Sequence, residues 1–204
     1  MLVCSSAWAQ PSATPVDNAL SAVQLKPSAQ LQEKIPSAIE DQLPTYVSGD
    51  HVTGQADVRA QASGNAELRK GDAVIRADRV DYTVAEDLLD AEGNVHINKG
   101  GDVYQGSALK LHVDAFQGHF NDASYQFLDT QAHGDAARVD FINRDRSLVH
   151  EATYTTCLRD DSASWEPDWV LRAKSIEIDR AEEVGYAKNA VLEFKGVPVL
   201  PVPD

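Results

Sequence analysis

Cysteine is nearly missing from this 204-residue chain: only Cys4 and Cys157 are present, so no disulfide framework of a small stapled domain can be built. Basic residues are scarce, eighteen against thirty-two acidic ones, and the formal charge of −14 leaves no basic face for DNA or RNA. No apolar run approaches the ~20 residues of a transmembrane helix. There is no HExxH pair, phosphate loop or nucleophile elbow, and the six histidines (51, 96, 112, 119, 133 and 150) show no metal-ligand spacing. Neither a metal nor a cofactor is expected. Proline is absent from residues 45 to 166, although five of the nine prolines crowd into Pro11, Pro15, Pro27, Pro36 and Pro44. That contrast predicts a flexible Pro/Ser/Ala-rich segment over 10–44, with a short helical turn around Leu31 to Ile35, followed by a folded domain.

The first nine residues, "MLVCSSAWA", end in the small-residue pattern Ala7-Trp8-Ala9 and are expected to be the remnant of a signal peptide. Export would put the chain in an oxidising compartment with Cys157 left over. A leftover cysteine there implies an intermolecular bond or a free thiol.

What the middle of the chain does have is alternation. Leu89, Ala91, Gly93, Val95 and Ile97 alternate with Asp90, Glu92, Asn94, His96 and Asn98; Leu109, Leu111 and Val113 alternate with Lys110, His112 and Asp114. Period two predicts antiparallel strands with one apolar and one wet face, and no helical period competes. His96 and His112 fall in the wet phase. The strands also repeat: "SGNAELRKGD" (63–72) returns as "EGNVHINKGGD" (92–102), with Gly64-Asn65 and Gly93-Asn94 in register and Lys70 matching Lys99. "KGD" and "KGGD" supply hairpin glycines. After each hairpin the apolar phase slips once, from Ala73, Ile75 and Ala77 to Val80, Tyr82 and Val84, and from Tyr104, Gly106 and Ala108 to Leu109, Leu111 and Val113. A weaker third unit runs from Gly118 and Phe120 to Ala123, Tyr125 and Phe127. A slip keeps the apolar face inward only if the strand bends there. Stacked bends predict an all-β sandwich of two facing antiparallel sheets built from kinked repeat strands.

The repeat "GNVHINKGGDVYQGSALKL" resembles the OstA-type repeat of lipopolysaccharide (LPS) transport proteins. "AHGDAARVDF", "EATYTTC", "PDWVLRAKSIEID" and "GYAKNAVLEFKGVPVL" are similar, more specifically, to the LPS-assembly protein (LptD, organic solvent tolerance protein) family, over roughly residues 45 to 200. The resemblance implies an OstA/LptA-like periplasmic β-jellyroll, here 45–195. It would accept LPS from the periplasmic bridge, hold the acyl chains between its sheets and pass them to an outer-membrane β-barrel. Residues 196–204 are then expected to begin a linker to a barrel whose alternating segments these 204 residues do not contain. The implied partners are LPS, an LptA-like bridge protein joined by β-augmentation at the "TYVSGDHVTGQADVRA" edge, and an LptE-like lipoprotein only where the barrel is present. The implied location is the periplasm, attached to the outer membrane through the barrel. For Cys157 the resemblance implies a disulfide to a cysteine near the far end of the barrel; the alternative is a buried free thiol.

The inward phase supplies thirteen lipid-facing candidates: Leu68, Ile75, Val80, Tyr82, Val95, Ile97, Leu109, Leu111, Phe120, Phe127, Phe141, Ile176 and Ile178. An ordinary packed core is the competing reading of each. Two other functions compete. One is a stand-alone LptA/LptC-like bridge or scaffold that pairs by sheet edges alone. The other is a β-solenoid carbohydrate-active enzyme using Asp160 and Asp161, or Asp78 and Asp81, as paired carboxylates. Charges alternating along strands read as solvated faces, so no catalytic residue is expected.

Overall fold

The computed structural model describes residues 43–158 and 166–202; the expected signal-peptide remnant, the 10–42 stretch, and Asp160 and Asp161 lie outside them. Among the described residues alternation becomes twelve strands: β1 (Tyr46–Ser48), β2 (His51–Gln55), β3 (Arg59–Lys70), β4 (Ala73–Thr83), β5 (Leu88–Lys99), β6 (Asp102–His112), β7 (Gln117–Gln126), β8 (His133–Phe141), β9 (Arg146–Tyr154), β10 (Trp169–Asp179), β11 (Val184–Phe194) and β12 (Val197–Val202). A single 3₁₀ turn, Val84–Glu86, interrupts them among the described residues. Every pairing is antiparallel and between chain neighbours from β3 onward, so the strands form one meander. β1 and β2 both lie on β3, β1 against Glu67–Arg69 and β2 against Arg59–Ser63, and together they act as one broken edge strand.

The break falls where the other strands bend. In β3, Gly64 and Asn65 both take positive φ (68° and 48°), and these two residues oppose the single Asp78 of β4. Gly93 and Asn94 repeat this in β5 (φ 74° and 46°) opposite Ser107 of β6. Asp122 in β7, Glu151 in β9 and Asn189 in β11 also take positive φ, so every second strand turns the corner through the left-handed region. Two-against-one bulges of this kind bend a strand and strengthen its twist. Side chains clasp the first three corners: Asn65 Nδ2 donates to Asp50 Oδ2 and Asn94 Nδ2 to Asp78 Oδ2, both at 2.9 Å, and Ser107 Oγ donates to Asp122 Oδ2 at 2.6 Å.

The phase slip is realised in β4, where Ala73, Ile75 and Ala77 are buried and then Val80 and Tyr82, and in β6 and β7. β3 and β5 bend without changing parity, because the left-handed Gly-Asn pair rotates the chain and restores the phase. Val84, in the expected inward series, lies in the 3₁₀ turn and is exposed, since the chain has already left β4.

A flat strand of eleven residues holds its two ends ~35 Å apart. Yet Lys70, at one end of the sheet, ion-pairs with Asp114 at the opposite end. Lys99 Nζ lies 4.7 Å from the Phe116 ring centroid, and Asp102 pairs with Arg180. Only a sheet folded double along its corners can make these contacts. The two facing layers are thus the two arms of a single sheet, with the apolar residues between them. β12 extends that sheet to Val202, past the boundary expected at 195, by pairing with β11.

Candidate functional site

Three features carry functional potential: the interior between the arms, the seam where the arm ends meet, and the two outer edges of the sheet.

All thirteen candidates reach the interior. Eleven are buried, and Phe127 and Ile178 pack against that core while partly exposed. The alternation was legible because each strand must keep one face inward. Others reached the interior without being singled out: Leu89, Tyr104, Tyr125, Val139 and Val149 are buried, as is Phe116 in the β6–β7 turn. Leu89 and Val149 sit in legible alternation, but Phe116 lies in a turn, where period two gives no signal. Ile97 and Leu111 have no exposed surface at all. A carboxylate placed at either would be buried without a partner, so such a change reads folding before it reads ligand contact.

Aromatic rings concentrate toward one region of the interior. Tyr104 meets Phe141 edge-on (centroids 5.5 Å, 86°) and Phe127 at 6.1 Å; Phe116 meets Phe141 at 5.0 Å; Tyr125 stacks on Phe127 at 5.1 Å. These contacts join β6, β7 and β8 and line the seam. Burial pushes the Tyr104 hydroxyl up to about 12, against the pull of Arg180, so it stays a neutral donor or acceptor. Arg180 Nη2 lies 3.0 Å from Tyr104 Oη while the same nitrogen pairs with Asp102, and its guanidinium sits 5.4 Å from the Phe127 centroid. Asp102 is itself buried; desolvation raises its pKa, opposed by Arg180 and by the Leu128 N–H, which donates to Oδ1 at 2.8 Å. Outside this pair a cleft of about 470 Å³ opens, lined by Asp102, Phe127, Asp129, Thr130, Arg180 and Glu183.

The carboxylate pair considered for catalysis is engaged elsewhere. Asp78 clasps a corner. Asp81 accepts from Arg59 Nε at 2.6 Å and from Gln61 Nε2 at 2.6 Å, and the Arg59 bond holds its pKa below the usual carboxylate range. His96 and His112 are exposed. Among the described residues no group of three or more His, Cys, Asp or Glu is placed to hold a metal ion.

The two sheet edges differ. The β1–β2 edge is free of proline, and Tyr46 and Val52 on it are exposed. β12 carries Pro198 and Pro201, and a proline in an edge strand offers no N–H to a further strand. Near the β8–β9 side, Cys157 follows the isolated bridge between His133 and Thr155; it is half-buried and has no disulfide partner among the described residues. Burial would raise its thiol pKa, but hydrogen bonds with Thr155 and with the backbone at Trp169 and Asp168 outweigh this and lower it.

Comparison with known proteins now decides the family. The family described as LptA/(LptD N-terminal domain) LPS transport protein matches residues 46–184, the span of the kinked sheet from β1 into β11. The chain belongs to this LPS transport family. The LPS-assembly protein LptD of Paracidovorax citrulli is 57% identical over 99% of this chain and 25% of its own length. That of Acidovorax sp. (strain JS42) is 61% identical over 88% of this chain and 22% of its own. The chain therefore spans about a quarter of the length of these LptD relatives and corresponds to their N-terminal portion. A looser structural likeness, TM-score 0.31 at 11% identity over 74% of this chain and 85% of the other, is to LptH, the LptA-homologous periplasmic component of the LPS transport device of Pseudomonas aeruginosa.

Proposed function

We propose that this chain works as the periplasmic N-terminal domain of an LPS-assembly protein, attached to the outer membrane through a following barrel. It takes LPS acyl chains between the two arms and hands them on, without catalysing a reaction. The observation that carries this reading is the continuous apolar interior, running from Leu68 in β3 to Ile176 in β10, inside a chain of the LPS transport family. The thirteen interior residues, with Phe127 nearest the open cleft, are the proposed acyl contacts. An LptA-like bridge protein adds its strand at the proline-free β1–β2 edge, which among the described residues has no further strand beside it. An LptE-like lipoprotein would join only at the barrel. Cys157, half-buried beside β10, is the proposed partner of a cysteine in the barrel portion. A full-length band whose migration ignores reductant on an immunoblot would leave Cys157 as a free thiol.

The test is site-specific photocrosslinking with benzoylphenylalanine at Phe120, Phe127 and Val52. Phe120 and Phe127 should capture LPS, and Val52, outside on β2, should capture the bridge protein instead. LPS captured from Val52 and from neither interior position, in folded protein, would place the lipid outside the arms.

A further inference from the structure

We infer that the ion pairs joining the two arm ends, above all Asp102–Arg180, form a latch that must open before an acyl chain can reach the interior. This rests on the acyl-binding reading above and adds the gate to it.

The argument begins with how each arm end is held. On one side the turns are stitched into a rim. The Asp87 carbonyl accepts the Val113 N–H at 3.1 Å, and Asp87 Oδ2 accepts the Asp114 N–H at 2.6 Å. The Asp114 carbonyl accepts from Arg144, and the Asp145 carbonyl accepts the Arg180 N–H at 3.0 Å. Four successive turns are thus one connected strip. On the facing side, Asp102 ties the β5–β6 turn to the β7–β8 turn through Leu128. Across the seam the rims touch through charge: Lys70 on Asp114, Lys99 over Phe116, Arg180 on Asp102 and Tyr104. The repeated Lys70 and Lys99 of "KGD" and "KGGD" are thereby explained, since both reach the same β6–β7 turn.

In a chain with only eighteen basic residues, three of them close this seam. The interior behind it is apolar and buried, so sealing by apolar contact alone would be stronger but hard to reverse. Ion pairs with one partner near solvent, as here, can be broken and remade: the Arg180 side chain is 36% exposed and Asp114 48%. The left-handed corners at Gly64-Asn65 and Gly93-Asn94 are where the arms would hinge, opposite the latch. The cleft bounded by Asp102, Phe127 and Arg180 lies directly outside the latch, where an amphiphile's chain would first rest.

The experiment reads the latch without lipid. In a chain with Cys4 and Cys157 changed to serine, one reporter is Ile97→Cys, near the arm end, and the other is Ala91→Cys, beside the corner. Both sites are fully buried. Native-state labelling by a small disulfide reagent is then timed. Arg180→Gln should raise the rate at position 97 about tenfold, the response to losing one charged hydrogen-bonded pair, with little change at position 91. Salt at about 1 M, where the screening length is ~3 Å, should speed labelling in the parent more than in Arg180→Gln, which keeps only Lys70–Asp114 to be weakened. The exchanged pair Asp102→Arg with Arg180→Asp should return the rate toward the parent's. An unchanged rate at position 97, or an equal rise at both positions, overturns the latch; the latter would mean general loosening. Uptake of a fluorescent dodecyl amphiphile by the same variants separates the two ideas. If the thiol rates move as expected but no variant takes up the amphiphile, acyl binding fails and the latch stands.

Discussion

Gly93→Ala should destabilise this fold at a corner, and the size of the effect can be built from the contacts there. Gly93 has φ 74°, where an L-residue costs ~1–2 kcal/mol. Its added Cβ would stand 2.3 Å from Asp78 Oδ2 and 3.0 Å from the Asp78 Cβ and Cγ, so the carboxylate must move. Moving it breaks the 2.9 Å bond from Asn94 Nδ2, which contributes ~1 kcal/mol. The sum is ~2–3 kcal/mol. Gly196 offers a matched control: φ is 75°, but an added Cβ meets nothing within 4 Å, so Gly196→Ala should cost only the backbone part. Urea unfolding followed by circular dichroism measures both. The corner argument also requires non-additivity, since Asp78→Ala removes both the obstacle and the bond. The double variant Gly93→Ala with Asp78→Ala should then be more stable than the sum of the singles implies, by ~1 kcal/mol. Additive costs, or a Gly93→Ala penalty no larger than that of Gly196→Ala, would refute the clasped corner.

Two further outcomes follow from burial and charge. Leu111→Asp should cost ~3–6 kcal/mol, joining lost apolar burial to an unpartnered buried polar group, whereas Leu111→Met should cost less than ~1.5 kcal/mol. Equal melting temperatures for the two would mean that Leu111 faces a wet interior. Asp81 and Glu67 are held below the usual carboxylate pKa, Asp81 chiefly by its bond from Arg59 and Glu67 chiefly by that from Arg69. Their stabilising share is complete above about pH 4 and is lost as pH falls through the lowered values, so the stability gap between parent and Asp81→Asn should close on acidification. A gap that widens toward low pH would contradict this sign.

The strands and their inward faces were legible because period two is imposed by the pleat, and one wet face against one dry face leaves that period in the residues themselves. The corner was legible twice over: as a phase slip in β4 and β6, and as the repeated Gly-Asn pair in β3 and β5. What alternation could not show is how β3 and β5 bend while keeping parity, because left-handed φ values leave no mark on apolar spacing. The strand β12 was hidden for a related reason. "VPVLPV" reads as a linker, and its two prolines are compatible with a strand that, among the described residues, is paired on one side only.

The seam was illegible for a different physical reason. Lys70 and Asp114 stand 44 residues apart, and Asp102 and Arg180 78 apart, and neither pair belongs to adjacent strands. A contact between adjacent strands leaves a local signature of turn, register and alternating partners. A contact between opposite ends of a folded-over sheet depends on the angle at every corner along the way. The repeated lysine is the single trace it leaves in the sequence. That dependence also ties the corners to the seam. A corner that opens by about ten degrees moves the strand ends by roughly 3 Å, since each arm extends roughly 15–20 Å from the bend. Gly93→Ala should therefore disturb Asp102–Arg180 as well as the local clasp. In the thiol assay it should speed labelling at position 97 even where the domain remains folded. Parent-like labelling in folded Gly93→Ala would mean that corner and seam move independently, and the hinge would then have to lie elsewhere in the sheet.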